Sequence, residues 1–339
     1  MESDAEGPLE PQSLEVQHRK ARAPKRSGRS RPFRAWLGRT ALGLGAKLDY
    51  PTLYRLGGAA GRALYRCGSG ERRATGTNLE ACLPEWTAEQ RDQLARESLI
   101  ETGRTFAEFG ALWCWPGPRV LSLVVETRGL ELFERALAER RGVILLTPHL
   151  GAWELAGLYF SSLAPLTAMY KRPPVVEIES FYNAARGRLG AKLAPNDAGG
   201  VTMVMRALRN REVIGILPDQ DPGRGSGVFA PWFGVPANTT TLVAKLAAKS
   251  GAPVLLVWCE RLPQARGFRV HVRAPERTIG LEDAVQGTLA LNLELEALIR
   301  SAPTQYLWSY KRFRNRPEGL GNPYREGVNA QTVGDRRTR

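Results

Sequence analysis

An α/β fold with a central, mostly parallel sheet flanked by helices is the architecture that this sequence predicts. Short apolar runs occupy residues 124–125, 143–146, 213–217 and 254–258, and helical segments separate them. Strands that are buried on both faces of a parallel sheet have such uninterrupted apolar runs. Residues 268–272 instead alternate apolar and polar side chains, which favours an edge strand.

The N-terminal third of the chain is predicted to be largely helical. Residues 1–32 are polar, contain a run dense in Arg and Lys, and are expected to form a disordered basic arm. Apolar residues recur at helical spacing over residues 33–48, with cationic residues between them. This pattern is equally typical of a helix on a membrane surface and of a helix packed on the domain. Thr87 and Gln90 form a capping box that begins a further helix, which should end before Pro116.

These patterns divide the 339 residues into four regions. We expect the basic arm in residues 1–32, a helical membrane-associating region in residues 33–120, the α/β domain in residues 121–318 and a flexible tail in residues 319–339. A hydrophobic content of 43% is enough for a substantial core in a chain of this length.

The composition limits the classes of partner. The chain has 48 basic and 34 acidic residues, and its net charge of +14 favours an anionic partner. Nucleic acid, an acidic membrane surface and a phosphorylated substrate all fit this charge. No window offers the roughly 20 uncharged apolar residues of a spanning helix, so we expect any membrane contact to be peripheral. The four cysteines are far apart in sequence, which is typical of reduced intracellular residues and argues against structural zinc.

His149 is the histidine whose position suggests chemistry. It follows the apolar run 143–146 and Pro148, and so should stand at the carboxyl end of a strand, where α/β sheets bind ligands. Glu154 lies five residues on, where its carboxylate can turn back to fix the imidazole tautomer and stabilise an imidazolium. No Ser or Cys is adjacent, which favours direct attack by an acceptor's own hydroxyl. From spacing alone, a helix-capping histidine and a helix-terminal glutamate remain the alternative.

Two further sets of charged residues are candidates for the same site. Asp219 and Asp221 follow another predicted strand and precede a glycine-rich loop, where carboxylates can position a basic partner or cap a turn. Arg186 and Arg188 have the forked donors that match phosphate oxygens, although such arginines are often solvated surface residues. No glycine motif in the chain matches a nucleotide-binding loop.

The segment 305–317 mixes aromatic side chains with basic ones, among them Lys311 and Arg312. Surfaces that bind lipid headgroups or single-stranded nucleic acid have this composition. Either partner would satisfy the pattern.

Four ordered blocks of sequence resemble the late acyltransferases of lipid A biosynthesis, the lauroyl/myristoyl acyltransferase family of the lysophospholipid acyltransferase-like superfamily. The blocks are Asn-Leu-Glu-Ala-Cys-Leu-Pro-Glu-Trp at residues 78–86, the His-x4-Glu spacing of His149 and Glu154, residues 217–223 with 227–237, and residues 306–313. Together they extend over roughly residues 35–318. One short motif would be weak support, but four in order are specific.

The resemblance implies a glycerolipid acyltransferase-like fold and a reaction. The implied reaction transfers a fatty acyl chain from acyl carrier protein to a hydroxyl of a Kdo-bearing lipid A precursor, at the cytoplasmic face of the bacterial inner membrane. It implies no metal, no nucleotide or other cofactor, and no nucleic acid partner. The net charge of +14 agrees with it, because a carrier protein and a phosphorylated lipid are both acidic.

The resemblance also implies roles for individual residues. His149 would be the general base with Glu154 as its partner, and Arg186 and Asp219 would be a further functional pair. Nearby alternatives to that pair, or substrate-binding residues, are Arg188, Asp221, Lys311 and Arg312.

In one respect the sequence departs from the family. The family usually has a clearly hydrophobic N-terminal anchor, whereas residues 33–48 are interrupted by charges, so we expect peripheral or monotopic rather than spanning attachment. Three alternatives stay open: an acceptor that is another glycolipid or an aminolipid, a thioesterase-like hydrolase, and an inactive basic protein that binds membrane or nucleic acid.

Overall fold

The N-terminal part of the described chain is helical. The structure, a computed structural model, describes residue 40 and residues 42–173 and 176–325. Its first helices are α1 (Tyr50–Arg66), α2 (Gly70–Cys82), α3 (Ala88–Cys114) and α4 (Gly117–Leu121). The predicted capping box of α3 is confirmed. The Thr87 hydroxyl accepts from the backbone N–H of Gln90, and the side-chain oxygen of Gln90 accepts from the backbone N–H of Thr87. The helix ends before Pro116, as expected.

The predicted α/β fold with a mostly parallel central sheet is confirmed. Its seven strands lie in the order β1-β9-β8-β2-β5-β3-β4. They are β1 (Val124–Arg128), β2 (Val143–Leu146), β3 (Leu166–Tyr170), β4 (Lys192–Pro195), β5 (Val213–Ile216), β8 (Val254–Arg261) and β9 (Phe268–Arg273), and the hairpin β6 (Val228–Trp232) and β7 (Val235–Thr239) stands apart. Every neighbouring pair in the seven-stranded sheet is parallel except β8 with β9.

The expectation that residues 268–272 form an edge strand is wrong. Strand β9 pairs with β8 on one side and with β1 on the other. Its alternation arises because one face is buried while the other bears Arg269 and His271, which are only partly exposed and bind carboxylates. The alternating pattern therefore reports a half-covered face, not a free edge.

Helices cover both faces of the sheet. They are α5 (Leu130–Ala138), α6 (Trp153–Leu163), α7 (Val176–Gly187), α8 (Ala198–Arg209), α9 (Leu242–Ser250) and α10 (Ala284–Ser301). Alternate residues of β2 enter two different cores: Val143 and Leu145 pack on the side of α6, and Ile144 and Leu146 pack on the side of α10. Full burial of such side chains contributes about 1.5–3 kcal/mol each, which is why the run contains no polar residue.

The N-terminal helices join both cores and are also tied to the sheet by charge. Arg261 at the end of β8 is buried, and it donates to Glu108 (2.5 and 2.7 Å) and to Glu101 (2.7 Å) on α3. Helices α1 and α3 cross very closely, since a Cβ atom on Gly103 would lie 2.2 Å from the carbonyl oxygen of Gly57. Substituting Gly103 would therefore force the two helices apart.

Two expectations fall mostly outside the described residues. The basic arm lies wholly outside them, and of the expected helix over residues 33–48 only residues 40 and 42–48 are described, with helical structure at residues 40 and 42–45. At the other end, the Tyr324 hydroxyl accepts from the Phe313 N–H and donates to Asn78, while residues 326–339 are outside the described ranges. Within those ranges, no helix has both the length and the apolar character needed to cross a membrane.

Candidate active site

The loop that carries His149 is fixed by backbone hydrogen bonds on both sides. Gly151 has a φ of +61°, and a Cβ atom there would lie 2.1 Å from the carbonyl oxygen of Cys259, so only glycine fits. The Gly151 N–H donates to the carbonyl of Gln305 (3.0 Å), and the Leu307 N–H donates to the carbonyl of His149 (3.0 Å). The segment around Gln305 and Leu307 therefore holds the loop against the end of β8.

His149 pairs with Asp219 across two neighbouring strands. The imidazole Nδ1 lies 2.8 Å from Asp219 Oδ1, and the backbone N–H of His149 donates to Asp219 Oδ2 (3.0 Å). Leu146 of β2 and Ile216 of β5 are partners in the parallel register, and each of the paired residues stands three positions further along its own strand. The carboxyl ends of adjacent parallel strands thus bring the two side chains together.

The contacts of the His149 ring determine its tautomer. An ionised carboxylate only accepts hydrogen bonds, so Nδ1 carries the proton that is donated to Asp219. Nε2 is then an acceptor, and the Gln220 side-chain amide lies 3.1 Å from it as the donor. An imidazole in this state is ready to take a proton at Nε2.

The expectation that Glu154 partners His149 is corrected by the structure. The Glu154 carboxylate instead accepts a forked pair of hydrogen bonds from Arg186 (2.9 Å from Nε and 2.5 Å from Nη2) and one from the Trp113 indole (3.0 Å). Glu154 stands in the first turn of α6, and that turn directs it toward α3 and α7. The same four residues come together, but the pairs are His149 with Asp219 and Glu154 with Arg186.

Both carboxylates are held in the ionised state although they are buried. Burial by itself would raise the pKa of Asp219, but electrostatic attraction to the His149 imidazole and the hydrogen bonds that His149 donates lower the pKa below its ordinary value. Burial would likewise raise the pKa of Glu154, but the charge and hydrogen bonds of Arg186, with the Trp113 indole, lower it. Burial and the neighbouring Asp219 charge raise the pKa of the Tyr306 phenol well above its ordinary value, so Tyr306 stays protonated.

A cavity of about 320 Å³ adjoins these pairs. His149, Glu154 and Arg186 form one part of its wall, with Gln220 and Asp221 near them. The remaining wall is largely apolar and comes from α6, from β3 to β5 and from the residues that follow β5. Its members include Trp153, Gly157, Leu158, Ala168, Met169, Leu193, Ile216, Leu217 and Leu242. The arrangement places a base at the end of a space suited to a hydrocarbon chain.

The other predicted site residues lie in different places. Asp221 is at the cavity but organises its own loop, accepting from the Gly223 N–H, from Asn238 and from Asn315 (each 2.8 Å). Arg188 donates to the carbonyl of Ala185 and is outside the cavity wall.

Arg312 is buried and already paired. It is 3% exposed, and its guanidinium donates to the carbonyl of Asn238 and to the Thr239 hydroxyl (2.6 Å each), which argues against a substrate-binding role. Lys311 is partly exposed, outside the cavity wall, with its Nζ 5.8 Å from the centre of the Tyr324 ring.

Sequence reasoning missed two residues that the structure places at the site. Gln220 directly follows Asp219, but an amide has no charge or spacing that distinguishes it in a sequence. Trp113 lies in a helix far from His149 along the chain, and its sequence position there predicts only a buried aromatic side chain. In the described ranges, no three His, Cys, Asp or Glu side chains are placed to hold a metal ion.

The fold and the site define a class of protein. A histidine–aspartate pair stands at the carboxyl ends of two parallel strands, over an apolar cavity. Of the described residues that line this cavity, none is a serine or a cysteine. These features are typical of α/β enzymes in which a histidine acts as a base without a neighbouring protein nucleophile.

Comparison with known proteins identifies the family. Residues 23–315 match the family model for the bacterial lipid A biosynthesis acyltransferase. The lipid A biosynthesis lauroyltransferase of Escherichia coli K12 is 31% identical over 293 residues, and the palmitoleoyltransferase of the same strain is 32% identical over 293; each alignment covers 85% of this chain and 94% of the relative. The E. coli K12 myristoyltransferase is 28% identical over 299 residues, covering 86% of this chain and 90% of the relative. The chain belongs to the lipid A biosynthesis acyltransferase family and is an acyltransferase.

Proposed function

We propose that this enzyme transfers a fatty acyl chain from acyl carrier protein to a hydroxyl of a Kdo-bearing lipid A precursor. The observation that carries the proposal is the His149–Asp219 pair, whose imidazole adjoins an apolar cavity. Membership of the family supports it, because relatives named lauroyl-, palmitoleoyl- and myristoyltransferases of lipid A biosynthesis align over most of the chain.

In the proposed mechanism, His149 is the general base. Its Nε2 takes the proton of the acceptor hydroxyl while the hydroxyl oxygen attacks the thioester carbonyl. The carbon–sulfur bond then breaks, the thiolate of the carrier takes the proton from Nε2, and the ester remains on the lipid. Asp219 accepts from Nδ1 throughout and stabilises the transient imidazolium.

Gln220 has two successive tasks in this mechanism. Its side-chain amide donates to Nε2, at the position that the acceptor hydroxyl must occupy. Once the hydroxyl displaces it, the amide N–H is available to the oxygen that becomes negative in the tetrahedral intermediate. Donors aimed at such an oxyanion usually contribute about 10²–10³-fold to the rate.

The Glu154–Arg186 pair is proposed to bind and orient the substrate. Arg186 lies at the cavity wall with its side chain 27% exposed, and Glu154 engages its Nε and Nη2. Because a forked pair restricts the guanidinium to one orientation, Arg186 is held ready to donate to an anionic oxygen of the substrate.

We further propose that the enzyme acts peripherally at the cytoplasmic face of the bacterial inner membrane. The net charge of +14 favours both an anionic bilayer surface and an acidic carrier protein. Exposed apolar side chains of the N-terminal part, namely Leu44, Leu56 and Phe106, support contact with lipid.

One assay tests this function. The purified protein is incubated with acylated carrier protein and a Kdo-bearing lipid A precursor, and the mass of the lipid product is measured by mass spectrometry. We expect one added acyl chain, and we expect His149→Ala to lower the rate by on the order of 100-fold or more, because the general base is lost. Glu154→Ala should lower the rate by a similar factor, because Arg186 loses the carboxylate that orients it. The matched control is His271→Ala, since His271 also pairs with a carboxylate but lies outside the cavity wall.

The outcomes are distinct. Acyl release without a gain in lipid mass would indicate a hydrolase, in which the same histidine activates water. Near-normal activity in His149→Ala would refute the mechanism. Transfer to a different glycolipid or to an aminolipid, but not to the lipid A precursor, would keep the mechanism and change the acceptor.

A further inference from the structure

Gly157 is a helix-interior glycine with open space beside it. It stands in the middle of α6, where glycine is less favourable than alanine because it loses more backbone entropy on folding. Its φ is not positive, and an added Cβ atom would meet no atom within 4 Å. Neither backbone conformation nor close packing therefore requires glycine at this position.

The open space beside Gly157 belongs to the cavity of the active site. Gly157 lines that cavity one helical turn after Trp153 and Glu154, so all three share one face of α6. At about 1.5 Å per residue, Gly157 is about 5 Å further along the helix than Glu154. Gly157 thus lies further from the N-terminal end of α6 than Glu154, which binds Arg186.

Small and apolar side chains from other elements line the same cavity. Ala168 comes from β3, Ala191 precedes β4, and Leu193 lies within β4. A side chain added at Gly157 or at Ala168 would project into the same space from two separate elements. The side chains at these two positions therefore limit how much of the cavity is free.

We propose that Gly157 determines the length of the acyl chain that the enzyme accepts from its donor. The inference rests on the proposed function. The donor chain arrives on a soluble carrier and must be shielded from water while it reacts, whereas the chains of the acceptor remain in the membrane. The apolar cavity beside His149 therefore holds the donor chain, and the missing side chain at Gly157 leaves room for its distal part.

The test is a competition among donors. Full-length protein is incubated with a lipid A precursor and an equimolar mixture of acyl carrier proteins loaded with saturated chains of eight to sixteen carbons. The masses of the acylated lipid A products are then measured by mass spectrometry. We expect Gly157→Leu to lower kcat/KM for the chain that the wild type prefers by about tenfold or more, since methylenes that no longer fit a hydrophobic pocket have effects of this size. Shorter chains should keep their rate within about threefold, so that the main product becomes shorter.

Two further variants keep the inference testable if Gly157→Leu folds poorly. Gly157→Ala should fold at least as well as the wild type, because alanine is the better helix former, and should shift the products in the same direction by less. Ala168→Val narrows the same space from β3 and should also favour shorter chains.

The matched control is Gly76→Leu. Gly76 is likewise a helix-interior glycine with nothing within 4 Å of an added Cβ atom, but it lies in α2, outside the cavity wall. Its products should match those of the wild type. An unchanged product distribution in folded Gly157→Leu would overturn the inference, and so would a shift that follows the acyl chains of the acceptor instead of the donor. If the wild type transfers no chain at all, the proposed function fails and this inference with it.

Discussion

Two histidine–carboxylate pairs in this protein share one chemistry but occupy different environments. His149 Nδ1 lies 2.8 Å from Asp219, and His271 Nε2 lies 2.8 Å from Glu260. Each imidazole also packs against a tryptophan, with ring centroids 5.0 Å apart in the first pair and 4.6 Å apart in the second. By distance and ring contact alone, the two pairs could not be ranked.

The difference lies in what each pair leaves available. His149 stands beyond the end of β2 and adjoins the cavity. Its Nε2 accepts from the Gln220 side-chain amide, a donor that a substrate hydroxyl can replace. His271 lies within β9, stacks nearly parallel on Trp258, and shares Glu260 with Arg269. The His149–Asp219 pair is thus distinguished as the candidate catalytic pair by an acceptor atom beside the cavity at a strand end, and not by the contact between imidazole and carboxylate.

The largest difference between the two pairs is expected when each carboxylate is replaced by its neutral amide. Asp219→Asn should lower kcat by about 10²–10⁴-fold, because an amide can hold the wrong imidazole tautomer and does not stabilise the imidazolium. Glu260→Gln should stay within about twofold of the wild type in the lipid acylation assay. Equal losses in both variants would show that the strand-end position does not distinguish the two pairs.

The second prediction concerns the donor at Nε2. Gln220→Ala should lower kcat by about 10–100-fold, less than the loss of the general base, because it removes one hydrogen-bond donor to the oxyanion. KM for the acceptor should change little or fall, since the hydroxyl no longer has to displace the amide. Steady-state kinetics with varied acceptor measure both constants, and a rise in kcat would refute the assigned role.

The third prediction follows from the lowered pKa of Asp219. A carboxylate whose pKa is lower in the folded protein stabilises the fold above its ordinary value of 3.8, and this contribution is lost as the pH falls through the lowered value. Near neutral pH, Asp219→Asn should therefore lower the free energy of unfolding relative to the wild type, by about 1.5–3 kcal/mol if one hydrogen bond to a charged group is lost. Urea unfolding at several pH values should show this gap closing toward strong acid, and a gap that widens there would contradict the assignment.

The smallest effect is expected at the second pair. Glu260 and Arg269 have side chains 27% and 21% exposed, so solvent and salt screen their interaction. Glu260→Gln should lower the free energy of unfolding by no more than about 1 kcal/mol, and less at high salt. A loss above about 3 kcal/mol that is insensitive to salt would mean that this pair is a buried structural one.

Much of the fold could be predicted from local patterns. The apolar runs in β2, β5 and β8 predicted buried parallel strands. Successive side chains of such a strand point to opposite faces of the sheet, and both faces are covered by helices. The capping box at Thr87 fixed the start of α3 through contacts within four residues. The pattern of β9 misled, because alternation reports which face is covered and does not report how many neighbours a strand has.

The sequence and the family resemblance named the four charged residues of the candidate site, but they did not predict which of these residues pair with each other. His149, Glu154, Arg186 and Asp219 were all expected, and all four lie together. Spacing along the chain favoured Glu154 as the partner of His149, since it is only five residues away. The actual partner is seventy residues away in sequence and reaches His149 because β2 and β5 are adjacent in register.

The sequence by itself determined the α/β class, the position of His149 after a buried strand, and the resemblance to a family to which the chain belongs. These depend on composition, period and short motifs, which are properties of contiguous residues. Only the tertiary structure decided that Asp219 accepts from His149, that Arg186 holds Glu154, that Arg312 is buried, and that Gly157 lies beside open space. Each of these depends on which strands and helices are neighbours, and neighbours distant in sequence are set by the packing of the whole chain.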